Sequence, residues 1–313
     1  KDVRGFSAGY GTIIGSSAFN IALIPVISFA FLYYTKGINK VFEIDKQIVK
    51  QDAFFLLGSI SILSLGFLFG VNIYLALFLI LFYFIYILYV IKTRISKKED
   101  ESLFFNNFIK NHKLELRDKI VYAESGTLVS AFFNFKLFRI FFKGQVNNFT
   151  STIVLLVSVC IIGISCYLLV LATENISHFL EINLFFGAFI IAAIASSVPD
   201  TIFSVQDAKN NKFIDSFSNA YGSNIFDICI GIGLPVLVYS SIYGPIDMRM
   251  PIERIGWIGN SILEGNLFIW SLIVLFFFTL IVSLIYYKRN LTLKSAFIVF
   301  VLYLLFILLL LIF

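Results

Sequence analysis

The sequence predicts an all-α polytopic membrane protein, and three observations carry that prediction. Apolar residues make up 59% of the 313, charged residues only 14%, and the mean hydropathy is +0.92. No soluble chain of this length can hide so much apolar surface. Uncharged stretches recur at the roughly 20-residue length that a helix needs to cross a bilayer. Once those stretches alternate across a membrane, the basic residues gather on one side of it.

The spans follow in order. Residues 5 to 35 carry no charge and form one long helix. Residues 53 to 91 are also uncharged but too long for one crossing, so Gly70-Val71-Asn72 becomes the turn between two. Further uncharged stretches cover 151 to 173, 182 to 199, 266 to 287 and 295 to 313, and 216 to 246 is broken only by Asp227. The count is eight spans. They divide the chain into a first membrane half (1 to 91), a basic loop (92 to 150) and a second membrane half (151 to 313). The loop holds 11 Lys and Arg against 6 Asp and Glu, which places it in the cytoplasm or its equivalent. The loops 36 to 52, 92 to 150, 207 to 215 and 288 to 294 then hold 20 of the 24 basic residues on the inner side. Lys1, Arg4, Arg249 and Arg254 are left outside. Within the large loop, Leu128 to Phe142 mixes basic and aromatic residues and fits either an interfacial helix or a plain loop under the bundle.

Several residue types contribute little chemistry. Cys160, Cys166 and Cys229 lie in apolar stretches, an odd number that builds no disulfide framework, and read as small buried residues. His112 and His178 sit far apart in polar loops and offer nothing for a histidine metal cluster. Of three Asn-x-Ser/Thr sequons, at Asn148, Asn175 and Asn290, only Asn175 falls outside, in a very short loop. The 38 phenylalanines express a compositional bias.

Asp200 and Asp227 are different. They lie deep in apolar stretches, in Ser-Ser-Val-Pro-Asp (196 to 200) and Gly-Ser-Asn-Ile-Phe-Asp (222 to 227). A carboxylate at the bilayer centre costs roughly 2.5 kcal/mol or more, so such residues mark function. A shift of 207 positions superposes Gly15-Ser16-Ser17-Ala18-Phe19-Asn20-Ile21 on Gly222-Ser223-Asn224-Ile225-Phe226-Asp227-Ile228, with Asn20 opposite Asp227. By the charge count the two helices run in opposite directions. That is the pattern of an inverted-topology transporter with its site near the midplane. Small-residue motifs also recur by chance for close packing, but a matched polar residue at equal depth argues against chance here.

In each copy the Ser and the Asn or Asp are four residues apart and share a helix face: Ser16 with Asn20, and Ser223 with Asp227. The preceding helix carries Ser196, Ser197, Pro199 and Asp200. Pro199 donates no amide and frees carbonyls near 195 to 196, and irregular backbone at this depth must line a cavity or lie buried in protein. Carbonyls, hydroxyls, a carboxamide and two carboxylates make an all-oxygen set suited to calcium, sodium or potassium. The competing readings are ordinary ones. Membrane serines often bond their own backbone, and Asn224 fits interhelical bonding better than ligation. Asp207 and Asp215, beside Lys209 and Lys212, read as solvated surface charges.

These residues resemble the two repeats of the cation/calcium exchanger superfamily. The second runs from Ala193-Ile194-Ala195-Ser196-Ser197-Val198-Pro199-Asp200 through Ser218-Asn219-Ala220-Tyr221-Gly222-Ser223-Asn224-Ile225-Phe226-Asp227 to Gly231-Ile232-Gly233-Leu234-Pro235. It is most similar to the potassium-dependent sodium/calcium exchangers. Gly11-Thr12-Ile13-Ile14-Gly15-Ser16-Ser17-Ala18-Phe19-Asn20 is similar to the latter half of their first repeat. The resemblance implies two inverted groups of five helices and alternating-access exchange of calcium for sodium. It implies that Asp200 is the acidic calcium ligand, that Ser197 and Ser223 help coordinate sodium and calcium, and that Asn20 is the first-repeat partner. It further implies that an Asp at 227 brings potassium co-transport. Ala195 and Ser196 depart from the family's usual Gly-Thr. The resemblance also places Lys1 just before the third family helix. Eight of ten helices are then expected here, without the segment holding the first repeat's essential Glu.

The expected function is a secondary antiporter for inorganic cations in a lipid bilayer, with no cofactor and no nucleic-acid partner. It belongs in the plasma membrane or an organellar membrane. A calcium/proton antiporter on the same scaffold, or a remnant that no longer transports, are the alternatives. A hydrolytic enzyme does not fit, because no nucleophile finds a nearby base.

Overall fold

The computed structural model describes residues 4–36, 44–99, 137–142, 147–209, 213–246 and 267–312. In chain order the helices are α1 (Arg4–Lys36), α2 (Lys46–Phe69), α3 (Ile73–Glu99), α4 (Leu137–Phe142) and α5 (Asn148–Phe179). After these come α6 (Leu184–Gly187), a π segment (Ala188–Ala192), α7 (Ala193–Lys209) and α8 (Phe213–Phe226). A second π segment (Asp227–Ile232), α9 (Gly233–Tyr243), α10 (Leu267–Lys288) and α11 (Leu293–Ile312) complete the series. Among the described residues eight runs are long and apolar enough to cross a membrane, the number expected. Two are composite: Leu184–Lys209 and Asp215–Tyr243 each contain a π segment.

The breaks have local causes. Asp45 caps α2 by accepting the amides of Gln47 and Ile48, which satisfies donors a helix start leaves open. Gly70, at φ +112°, ends α2, and the Asn72 side chain accepts the amides of Tyr74 and Leu75 to start α3. The turn predicted at 70 to 72 is therefore built by a glycine and an asparagine cap.

The chain divides into two compact units: Lys1–Ile87 with Val170–Phe313, and Leu88–Leu169. In the second, α5 turns Leu155, Leu156, Ile162 and Ile164 outward, as a lipid-facing helix does. In the first, α1 packs against α6, α7, α8, α10 and α11, and α2 packs against α8 and α10. Helix ends assigned to one side of the membrane lie together there. Ile246, just after α9, donates its amide to the Val71 carbonyl in the α2–α3 turn, both on the expected outer side. The Lys209 ammonium lies 4.4 Å from the Phe31 ring centre, both on the inner side.

Four expectations need correction. Asp52, expected in an inner loop, lies inside α2 because the Asp45 cap starts that helix early; it is 1% exposed. Asn175 and His178 lie within α5, not in loops, since that helix continues past Glu174. Cys160 and Cys166 are exposed on α5 and only Cys229 is buried, because an apolar residue in a membrane helix can equally face lipid. Pro199 does not interrupt its helix: α7 runs through it, and the irregular backbone is the π segment before Ala193. Of the 128 to 142 stretch only Leu137–Phe142 is described, and it is helical; the rest, with His112, Lys1, Arg249 and Arg254, lies outside the described residues.

Candidate functional site

Close approach of two backbones sets the position of the site. A Cβ on Gly11 would sit 2.6 Å from the Phe185 carbonyl oxygen, and one on Gly15 would meet the Phe189 carbonyl and stand 2.6 Å from the Ala193 Cβ. Only glycine lets α1 lie this close to the run from α6 to α7, as small residues do between membrane helices. The contacts advance together, Gly11 on Phe185 and then Gly15 on Ala193, so the two helices run parallel. One turn further on they bring up Ser16, Ser17 and Asn20 from α1, and Ser197 and Asp200 from α7.

The helix α8 crosses α1 in the opposite sense. Asn20 Nδ2 donates to Asn224 Oδ1 at 3.0 Å, and Asn224 Nδ2 donates to the Ser17 carbonyl at 2.8 Å. The Ser16 side chain stands beside the Asp227 carboxylate, and that of Ser223 beside Asp200. The two carboxylates are near enough to interact electrostatically. Ser17 and Asn224 occupy the same position of the repeat, so the equivalent residues of its two copies touch. Asn224 is thus interhelical bonding, with both ends of its amide used.

Three buried oxygens here have no hydrogen-bond partner among the described residues: Ser17 Oγ, Asn20 Oδ1 and Ser197 Oγ. Each belongs to a residue 1% exposed. A buried polar atom without a partner costs about 1–3 kcal/mol; five further hydroxyls among the described residues share this state, and these three lie on α1 and α7 where the two helices pack closely. Oxygens of this kind offer lone pairs that suit a hard cation. Among the described residues no three His, Cys, Asp or Glu side chains converge, so the set is two carboxylates completed by neutral oxygens.

Of the seven residues expected at the site, five come together, Ser16, Asn20, Asp200, Ser223 and Asp227, while Ser197 is buried on α7 three residues before Asp200. Ser196 does not join them. It is exposed, and its hydroxyl donates to the Ala193 carbonyl at 3.1 Å. Ser16 also bonds its own helix, at the Ile13 carbonyl 3.2 Å away. Asp227 opens the second π segment, a geometry frequent at functional positions because it turns side chains out of the regular helical order.

The family model described as sodium/calcium exchanger protein matches residues 150–312, more than half of the chain. The chain belongs to that family. Members of the family are transporters and not enzymes, and this exchanger-family chain is an integral, multi-pass membrane protein. It is similar to sodium/potassium/calcium exchanger 2 of Homo sapiens, Mus musculus and Rattus norvegicus, at 34% identity over 86 residues in each case. The match covers 28% of this chain and 13% of each relative, so the chain meets only a small part of their length. No solved structure matches the chain.

Two participants at this exchanger-family site escaped sequence reasoning. Ser17 was not among the expected site residues, although the repeat already aligned it with Asn224. Asn219 donates to Ser204 Oγ at 3.1 Å and to the Asp200 carbonyl at 3.4 Å, closing α8 on α7 beneath the carboxylates. Its position four residues before Ser223 was the available signal.

Proposed function

We propose that the protein is a secondary antiporter that exchanges calcium for sodium, with potassium carried alongside calcium. Alternating access operates at a midplane site between two inverted repeats, one on either side of the basic loop. The observation that carries this reading is the approach of Asp200 and Asp227 to each other, with Ser223 and Ser16 beside them, next to helices α1 and α7 that bury the unpartnered oxygens of Ser17, Asn20 and Ser197. Two carboxylates offset much of a divalent charge, while amide and hydroxyl oxygens replace hydration without holding the ion too tightly. The antiparallel crossing of α1 and α8, with equivalent residues in contact, supports the inverted arrangement. Asp200 takes the role of principal calcium ligand, with Ser197, Ser223, Ser16 and Asn20 around it. Asp227 gives the site its second charge and with it the use of potassium, an assignment supported by the name of the curated relatives.

The test is calcium uptake into liposomes containing the full-length protein, driven by an outward sodium gradient, with and without potassium. Asp200→Asn abolishes uptake, and Asp227→Asn retains uptake that no longer needs potassium. Wild-type uptake indifferent to the sodium gradient refutes the exchange. Uptake that follows sodium but ignores potassium refutes only the potassium role.

A further inference from the structure

Among the described residues Asp52 is the only charged side chain in the buried class, at 1% exposure, whereas Asp200 and Asp227 are partly exposed. It lies near the N-terminal end of α2. Desolvating a carboxylate costs several kcal/mol, and a neutral side chain could fill this position more cheaply. What it touches explains it. Asp52 Oδ2 accepts from the Ser218 hydroxyl of α8 at 2.9 Å, and Oδ1 accepts from the Tyr86 hydroxyl of α3 at 3.4 Å. Bonds to a charged acceptor are roughly twice as strong as neutral ones, which suits a joint between three helices.

Both contacts lead to the site. Ser218 lies on the helix that carries Ser223, Asn224 and, at its end, Asp227. Tyr86 crosses that same helix at Gly222, where an added Cβ would stand 3.6 Å from the hydroxyl. The Tyr86 ring packs against Tyr83 at 6.2 Å, and Tyr83 against Phe226, the residue before Asp227, at 5.6 Å. Asn219 ties α8 to α7, Tyr221 ties it to Ser283 of α10 at 2.9 Å, and Asn224 ties it to α1. The Asp52–Ser218 bond completes this set on the α2 side.

We propose that Asp52 is a positioning residue for cation exchange: through Ser218 and Tyr86 it holds α8 in the register that sets Ser223 against Asp200 and Asp227 against Ser16. The inference rests on the exchanger reading above. It assigns a role in ion affinity to a residue outside the set expected at the site.

The experiment measures sodium-driven calcium uptake across calcium and potassium concentrations for the full-length wild type, Asp52→Ala, Asp52→Asn, Ser218→Ala and the double variant Asp52→Ala with Ser218→Ala. Loss of an outer-shell partner costs about tenfold or more in metal affinity, so Asp52→Ala raises the half-saturating calcium concentration by about that factor. Maximal uptake per inserted protein changes far less. Asp52→Asn, which keeps one acceptor oxygen, recovers part of the affinity, and the double variant is no worse than Asp52→Ala alone, because the two residues act as one unit. Calcium-dependent thermal stabilisation of the purified proteins gives the same ranking without transport. If Asp52→Ala does not insert, Asp52→Asn and Ser218→Ala carry the comparison. Variants with wild-type calcium and potassium dependence, or with lower maximal uptake at unchanged half-saturation, overturn the inference while leaving the exchanger reading intact. A wild type that neither transports calcium nor is stabilised by it overturns the exchanger reading first.

Discussion

Gly15 and Gly222 hold the same position in the two copies of the motif, and the structure treats them oppositely. Alanine at either site gains the same intrinsic helix stability, about 0.5–1 kcal/mol. At Gly15 the new Cβ meets the Phe189 carbonyl and stands 2.6 Å from the Ala193 Cβ, neither of which can rotate away. Relief to ordinary contact needs α1 to move back from α7 by about 1 Å, at a cost of about 1–3 kcal/mol for an overpacked core. At Gly222 the new Cβ stands 3.6 Å from the Tyr86 hydroxyl, an ordinary contact. Gly222→Ala is therefore neutral or stabilising, and Gly15→Ala is destabilising by about 1–2 kcal/mol net. The displacement of α1 also stretches the Asn20–Asn224 bond, now 3.0 Å, so calcium affinity falls in Gly15→Ala alone. Thermal unfolding of the detergent-solubilised variants, with calcium titrated in, measures both effects. Equal stability for the two variants, or a greater loss at Gly222, would refute the close packing of α1 on α7.

Two further outcomes follow from single hydrogen bonds. Asn224→Ala removes both amide bonds between α8 and α1 and lowers stability by about 1–2 kcal/mol, with weaker calcium binding; Asn224→Gln, one methylene longer, does not restore it. Pro25 leaves the Ile21 carbonyl without its helical amide, and the Tyr286 hydroxyl donates to it at 3.1 Å and to the Ala22 carbonyl at 3.4 Å. Tyr286→Phe costs about 0.5–1.5 kcal/mol by thermal unfolding, and the cost disappears when Pro25 is also replaced by alanine, since the carbonyl then regains its own amide.

How far the sequence could be read depended on the range of the physics involved. The spans were legible because an apolar residue in a bilayer reports its environment directly, and the Gly70–Asn72 turn because glycine and asparagine carry local backbone preferences. The two aspartates stood out because intramembrane charge is costly wherever the helix ends up. The motif shared by Gly15–Ile21 and Gly222–Ile228 was visible as letters. Which of its serines faced the partner was not, because adjacent helix positions differ only in direction. Ser196 and Ser197 are neighbours, yet only Ser197 is buried.

Asp52 marks the limit most clearly. Next to Lys50 and Gln51 it looks like a solvated loop charge, and nothing within a few residues says otherwise. Its burial comes from Tyr86, 34 residues away, and Ser218, 166 residues away. By itself the sequence determined the membrane class, the eight spans and the two intramembrane carboxylates, all set by the transfer of single residues or short segments between water and lipid. Only the tertiary structure decided which oxygens converge, which hydroxyls remain without partners and which buried charge braces the site helix, because those depend on how separate helices pack.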